Sequence, residues 1–221
     1  MAVSILGASI TPYLMYFYAS GAIEDQWDTS DLSLNRVIAS LGMSFGSVIS
    51  VGVLVLAALV FQPRGIHIER YEQMAPMLTG LFGHWGLILF AASLGIACLG
   101  AAAEVSLTVA YVLAQGFGRN WSENLRPKEE ARFSVVYTVV IALAALLMAL
   151  GIDLLTLTNI SMVLTAASLP LAIMPFLLLM NDESYVGEHR NGCFSNSVVV
   201  FIIALACVVA LVSIPLQIFG G

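Results

Sequence analysis

The chain has 221 residues, of which 60% are hydrophobic and 10% are charged, and its formal net charge is −6. Soluble domains carry about 25% charged residues, so this composition excludes a soluble globular protein and indicates an integral membrane protein. The acidic balance leaves no basic face to neutralise phosphates, which excludes a nucleic-acid partner. The long apolar runs predict an all-α membrane fold, because the strands of a membrane barrel would alternate in polarity.

Six apolar runs have the length of roughly 20 residues that the bilayer core requires. We predict spans at Val3–Ile23, Val37–Phe61, Trp85–Gly116, Phe133–Leu150, Leu154–Met180 and Ser197–Phe219, in one transmembrane domain over residues 1–221. The three cysteines show no metal-ligand spacing, and no nucleophile or cofactor motif is recognisable. We therefore expect neither an enzyme nor a bound cofactor.

The first span is interrupted at Thr11-Pro12. Proline lacks a backbone N–H and disfavours helical dihedrals at the residue before it, and Gly7 weakens the helix one turn upstream. Broken helices of this kind point to ion sites in secondary transporters, because irregular backbone at membrane depth must face protein or a water-filled cavity. A simple proline kink is the alternative on this stretch alone.

The distribution of basic residues predicts how the chain is oriented in the membrane. Connections 24–36, 117–132 and 181–196 hold six Lys and Arg residues, whereas connections 62–84 and 151–153 hold two. The positive-inside tendency places the first group in the cytoplasm of a multi-pass protein of the cell membrane, which we expect to be the plasma membrane. Between the second and third spans, Pro63–Gly83 has the amphipathic pattern of a short interfacial helix.

One acidic residue, Glu104, lies well inside a predicted span. A charge at the bilayer centre costs about 3 kcal/mol on insertion scales, so intramembrane acids usually mark an ion path or proton relay. The alternative is a protonated acid bonded to Ser106 or Thr108. In the fifth span, Ser161 offers a hydroxyl, which interhelical hydrogen bonding explains equally well. Met162 offers a thioether, although a lone methionine in a membrane helix is more often a packing residue.

Four motifs in order along the chain resemble the NRAMP family of metal transporters. Gly7–Tyr13 resembles the GAxxMPH pattern of that family's broken sixth helix, and Gly95–Gly100, continuing to Ala114–Gly116, is similar to its eighth helix. Leu169–Pro175 resembles its LPFAxxP tenth helix, and Val186–Asn191 the MGxxxN that follows. The resemblance implies helices six to eleven of a LeuT-type five-plus-five inverted repeat. It also implies a missing N-terminal half, which carries the family's acidic ligand motif.

The resemblance also implies a metal site, and the departures from the family pattern suggest its cargo. Family members bind Mn²⁺ or Fe²⁺ through a methionine sulfur and the carbonyl of an alanine three residues earlier. Ala8 keeps the alanine position, but the methionine is Thr11 and the proton-linked histidine is Tyr13. A thioether favours softer metals, whereas hydroxyl, carbonyl and water oxygens suit Mg²⁺. The substitution therefore resembles the NRAMP-related magnesium transporters, a branch that lacks the methionine and is not thought to be proton-coupled.

The expected function is alternating-access transport of a divalent cation across the lipid bilayer, with Mg²⁺ the first choice and Mn²⁺ the second. Glu104 would hold the hydrated cation through water, and Ser161 or Met162 would line the facing helix. Two alternatives stay open: a proton-coupled Mn²⁺/Fe²⁺ symporter of the NRAMP type, and an organic-solute (amino-acid) carrier of the same fold.

Overall fold

A computed structural model describes residues 11–66, 68, 71–124 and 126–219. The helices are α1 (Pro12–Glu24), α2 (Leu32–Phe61), α3 (Pro76–Phe82), α4 (His84–Gly116), α5 (Ala131–Ala149), α6 (Leu154–Leu179), α7 (Glu183–Val186) and α8 (Cys193–Phe219). Short 3₁₀ turns cover Gln62–Arg64, Tyr71–Met74 and Gly187–His189. The described residues contain no strand, so the predicted all-α class is confirmed.

Four helices within the described residues are long and apolar enough to cross a membrane. They are Leu32–Arg64, His84–Gly116, Ala131–Ala149 and Leu154–Leu179. The 33 residues of α4 extend over about 50 Å, which exceeds the bilayer core of about 30 Å. These helices confirm the predicted integral membrane protein.

Two of the helices begin earlier in the chain than the sequence predicts. The helix α2 begins at Leu32 rather than Val37, and α8 begins at Cys193 rather than Ser197. Both helices therefore continue beyond their apolar runs into the polar connections, where hydropathy is no guide to backbone conformation. The predicted interfacial segment contains the 3₁₀ turn Tyr71–Met74 and the helix α3.

The start of α6 follows the local chemistry of its sequence. Asp153 is the N-cap, and its carboxylate accepts a hydrogen bond of 2.9 Å from the Thr156 N–H. The helix then continues through Pro170 and Pro175. Each proline leaves the carbonyl four residues before it without its usual helical donor.

The chain divides into two compact units. One contains residues 11–16 and 148–219, in which α6 packs against α8. The other is Phe17–Leu147, in which α3 packs against α4. The arrangement of residues 1–221 as one transmembrane domain stays a prediction.

Each unit has its own buried cluster. In the first, Leu169 and Ile173 of α6 are buried against Met15 and a group of α8 side chains (Val199, Ile202 and Ile203). In the second, Ala110, Tyr111 and Ala114 of α4 are buried against Phe133 of α5. The ring of Tyr111 lies 5.2 Å from that of Phe133 and 5.5 Å from that of Trp121, in tilted and edge-on geometry.

Candidate functional site

The described part of the predicted break is the start of α1. Thr11 is not helical, and the helix begins at the buried Pro12. Proline suits the first position of a helix, because the N–H that it lacks has no helical partner there. The first bond of this turn joins the Leu14 N–H to the Thr11 carbonyl at 3.2 Å. Ala8, the predicted carbonyl ligand, lies outside the described residues.

The first turns of α1 contact α6 beside its second proline. The Tyr16 hydroxyl donates a hydrogen bond of 3.3 Å to the Ala172 carbonyl, and its ring lies 5.2 Å from that of Phe176. Pro175 cannot bond the carbonyl of Leu171, so the helical ladder is weakest at this level. A donor from α1 therefore reaches the carbonyl next to the one that Pro175 leaves without a helical partner.

Ser161 and Met162 lie in the same unit as Thr11 and Tyr13. The Ser161 side chain is exposed and that of Met162 is partly buried. The Ser161 carbonyl accepts a bond of 2.9 Å from the Thr165 hydroxyl, within α6. Met162 lies seven residues, or about 10 Å of helix, before Leu169, the buried α6 residue that packs against Met15. That Thr11, Tyr13, Ser161 and Met162 share one metal site stays a prediction.

Glu104 lies in the other unit, on α4 and twelve residues before its end at Gly116. Its side chain is partly buried and, within the described residues, has neither a hydrogen bond nor an ion pair. The Ser106 hydroxyl donates to the Ala102 carbonyl at 2.7 Å, and the Thr108 hydroxyl to the backbone carbonyl of Glu104 at 2.7 Å. Neither hydroxyl therefore donates to the carboxylate, although sequence proximity had suggested both as partners.

No group of three or more histidine, cysteine, aspartate or glutamate side chains that could hold a metal occurs among the described residues. The cysteines Cys98, Cys193 and Cys207 are free. The ligand atoms at the predicted positions are the Thr11 hydroxyl and carbonyl, the Tyr13 phenol oxygen, the Ser161 hydroxyl, the Met162 thioether and the Glu104 carboxylate. Most of these are oxygen atoms, which suit hard cations.

Sequence reasoning missed a polar network at the end of α1. The Glu24 carboxylate accepts four hydrogen bonds: from the Tyr111 hydroxyl at 2.8 Å, from the Ser122 hydroxyl, and from the Asn124 N–H and amide at 3.3 and 3.0 Å. One turn earlier, the Gln115 amide donates to the buried Ser20 hydroxyl at 2.8 Å. The end of α1 is thereby attached to α4 and to the connection that follows it.

This network changes the acidity of Glu24. Partial burial raises the pKa of the Glu24 carboxyl, but the hydrogen bonds from Ser122, Tyr111 and Asn124 together outweigh it and lower the pKa below 4.5. A glutamate directly after an apolar run, and a tyrosine near the end of another, were the available signals. Neither pattern predicts that Glu24 and Tyr111 are hydrogen-bonded to each other.

The chain was compared with known proteins. The family profile described as "Natural resistance-associated macrophage protein-like" (Nramp) matches residues 1–215. The "Divalent metal cation transporter MntH" of Caldanaerobacter subterraneus subsp. tengcongensis is 27% identical over 205 residues, covering 86% of this chain and 44% of that protein.

Two further relatives are similar over most of this chain. The protein of the same name from Aeromonas hydrophila subsp. hydrophila is 26% identical over 218 residues, covering 93% of this chain and 49% of the relative. The "Natural resistance-associated macrophage protein 2 homolog" of Dictyostelium discoideum is 26% identical over 222 residues, covering 93% of this chain and 34% of the relative. The chain thus spans half or less of the length of these relatives. With nearly its whole length matched by the family profile, this multi-pass membrane protein belongs to the Nramp family.

Proposed function

We propose that this chain forms part of a divalent metal cation transporter working by alternating access, with Mg²⁺ the first-choice cargo and Mn²⁺ the second. The observation that carries the proposal is the start of α1, where a hydroxyl residue precedes the proline that begins the helix. The family pattern has a methionine at this position. Replacing a thioether by a hydroxyl favours a hard, hydrated ion over a soft one.

The contact between α1 and α6 supports a shared site. The predicted topology sends both helices across the membrane in the same direction, and Met15 packs beside Leu169. Thr11 precedes Met15 by four residues and Met162 precedes Leu169 by seven, or about 6 and 10 Å of helix. Because the two helices are predicted to be parallel, Thr11 and Met162 would lie at similar depth in the membrane. Residues that line one cavity must share such a depth.

The Glu104 carboxylate supports the proposal because it has no hydrogen-bond or ion-pair partner among the described residues. An acid inside a span is costly to retain and usually serves an ion path or a proton relay. Its carboxylate has no protein partner within the described residues, so it is available to a cation or to the water that a cation retains. The same charge disfavours an amino-acid carrier, because it would repel the carboxylate of the substrate.

A proton-coupled Mn²⁺/Fe²⁺ symporter is the second candidate. Relatives named as divalent metal cation transporters match 86% and 93% of this chain, and that likeness favours the general function of the family. Under this candidate, uptake acidifies the cell interior and Mn²⁺ is strongly preferred over Mg²⁺. Measuring the intracellular pH during uptake of each metal separates the two candidates.

We expect Thr11→Met to shift selectivity towards Mn²⁺ and Cd²⁺ relative to Mg²⁺, because a thioether binds softer cations better. The shift should reach about tenfold, which corresponds to about 1.4 kcal/mol. The measurement is competitive uptake of the three ions by the complete transporter. Leu14→Met is the control, since it adds the same side chain one turn further along α1. Equal selectivity of Thr11→Met and the unchanged protein would contradict the hard-ion proposal.

We expect Glu104→Gln to reduce divalent-cation uptake by about tenfold or more, the usual effect of losing an outer-sphere partner of a metal. Uptake is measured in the complete transporter at equal amounts of protein in the membrane. Glu123→Gln is the control, because it makes the same chemical change at an exposed position outside the spans. Uptake equal to that of the unchanged protein would remove Glu104 from the ion path.

A further inference from the structure

An open cavity of about 320 Å³ lies between the end of α4 and the start of α5. Its walls are apolar and include Leu113, Phe117, Phe133 and Val136. Phe133 is buried, whereas Leu113 is 42% exposed and Phe117 is 76% exposed. The cavity therefore continues outward as an apolar surface along the end of α4.

Two arginines, Arg119 and Arg132, line the same cavity. Both side chains are exposed, and in the described part of the chain neither has a hydrogen bond or a salt bridge from its guanidinium. Glu130 is the one acid among the lining residues, and Asn120 adds a neutral amide. Two cations against one anion leave the cavity with a net positive charge.

The position of the cavity matches the boundary between bilayer and water. The membrane-length helix α4 ends at Gly116, and α5 begins at Ala131, so the cavity lies at the ends of two spans. The distribution of basic residues predicts that this boundary is the cytoplasmic one. Basic pockets at such a level favour anionic lipid headgroups.

We propose that this cavity binds one anionic phospholipid, with its phosphate at Arg119 and Arg132 and an acyl chain along Leu113 and Phe117. A guanidinium presents paired donors that match a phosphate, and these two have no protein acceptor among the described residues. The apolar wall offers nothing to a small soluble anion but buries the hydrocarbon of a lipid. The inference is independent of which metal the protein carries.

The test is native mass spectrometry of the full chain in neutral detergent, titrated with phosphatidylglycerol or with phosphatidylcholine of the same acyl chains. We expect the double variant Arg119→Gln/Arg132→Gln to weaken phosphatidylglycerol binding by about thirty-fold. The matched control is Arg36→Gln/Lys128→Gln, which removes the same charge from the same predicted side but outside the cavity. The control should weaken binding by less than about threefold, because distant exposed charges are screened.

Competition by inorganic phosphate and by glycerol 3-phosphate distinguishes a lipid site from a site for soluble phosphate. We expect neither, at millimolar concentration, to displace the lipid. Displacement would assign the arginines to a soluble anion and overturn the proposal. Equal binding of the two lipids by the unchanged chain would also overturn it, and this comparison does not depend on the folding of any variant. The proposal would also be overturned if the two double variants lost the same amount of phosphatidylglycerol affinity.

Discussion

Two glutamates of this protein differ in what surrounds their carboxylates. Glu24 accepts four hydrogen bonds from Tyr111, Ser122 and Asn124, whereas the Glu104 carboxylate has no partner within the described residues. Hydrogen bonds to a carboxylate favour its charged form and consume its acceptor capacity. We therefore assign Glu24 to holding the end of α1 in place. The role of Glu104 in the path of the cation stays a proposal.

We expect Glu24→Gln to lower the free energy of unfolding by about 1 kcal/mol at neutral pH, because charge-assisted hydrogen bonds at a partly exposed site are replaced by neutral ones. The folded-state pKa of Glu24 lies below 4.5, so its stabilisation is present above that pH and is lost as the pH falls through the folded value. The measurement is the thermal unfolding midpoint in detergent from pH 7 downwards.

Asp25→Asn is the control for this prediction, because it removes an acid from the exposed neighbouring residue. Its unfolding midpoint should follow that of the unchanged protein across the range of pH. If Glu24→Gln has the same midpoint and the same pH dependence as the unchanged protein, the network does not stabilise the fold.

At the scale of elements, the junction of α3 and α4 depends on one glycine. A Cβ atom at Gly86 would lie 2.4 Å from the Leu78 carbonyl oxygen and 2.6 Å from the Thr79 nitrogen. Both are backbone atoms, so no side chain can move away to make room. The close approach of these two helices therefore requires a residue without a side chain.

We expect Gly86→Ala to destabilise this junction by about 1–3 kcal/mol, the usual cost of overpacking. Gly95→Ala in the same helix is the control: nothing lies within 4 Å of its added methyl group, so it should be neutral or slightly stabilising. The thermal midpoints of the two variants give the comparison. A Gly86→Ala midpoint equal to that of the control would show that the helices separate at little cost.

The helix α6 shows how an element can be predicted while its surroundings are not. Its cap at Asp153 and its two prolines follow from local rules. The Tyr16 hydroxyl that contacts it at Ala172 comes from 156 positions earlier in the chain. No local pattern in the sequence pairs these two residues.

At the scale of the whole molecule, the orientation in the membrane rests on the distribution of basic residues. Three connections with six Lys and Arg residues are predicted to face the cytoplasm, and the connections with two are predicted to face outward. The proposed lipid cavity and the Glu24 network both lie at the ends of helices on the predicted cytoplasmic side. Their placement there depends on this orientation.

We expect Ile66→Cys to react with a membrane-impermeant maleimide in intact cells, and Glu123→Cys to react after the cells are permeabilised. Both variants are made after the three native cysteines are replaced by serine. Neither change removes a basic residue, so the predicted orientation is not altered by the test itself. Labelling of Glu123→Cys in intact cells, with protection of Ile66→Cys, would reverse the assignment.

The amino-acid sequence by itself determined the membrane character, the all-helical class and the family resemblance. These follow from hydropathy and from motifs, which are properties of neighbouring residues. The tertiary structure alone decided that the Glu24 carboxylate is hydrogen-bonded, whereas the Glu104 carboxylate has no partner within the described residues. Such outcomes depend on residues far apart in sequence, as with Glu24 and Tyr111, which lie 87 positions apart. Only packing brings their side chains within hydrogen-bonding distance.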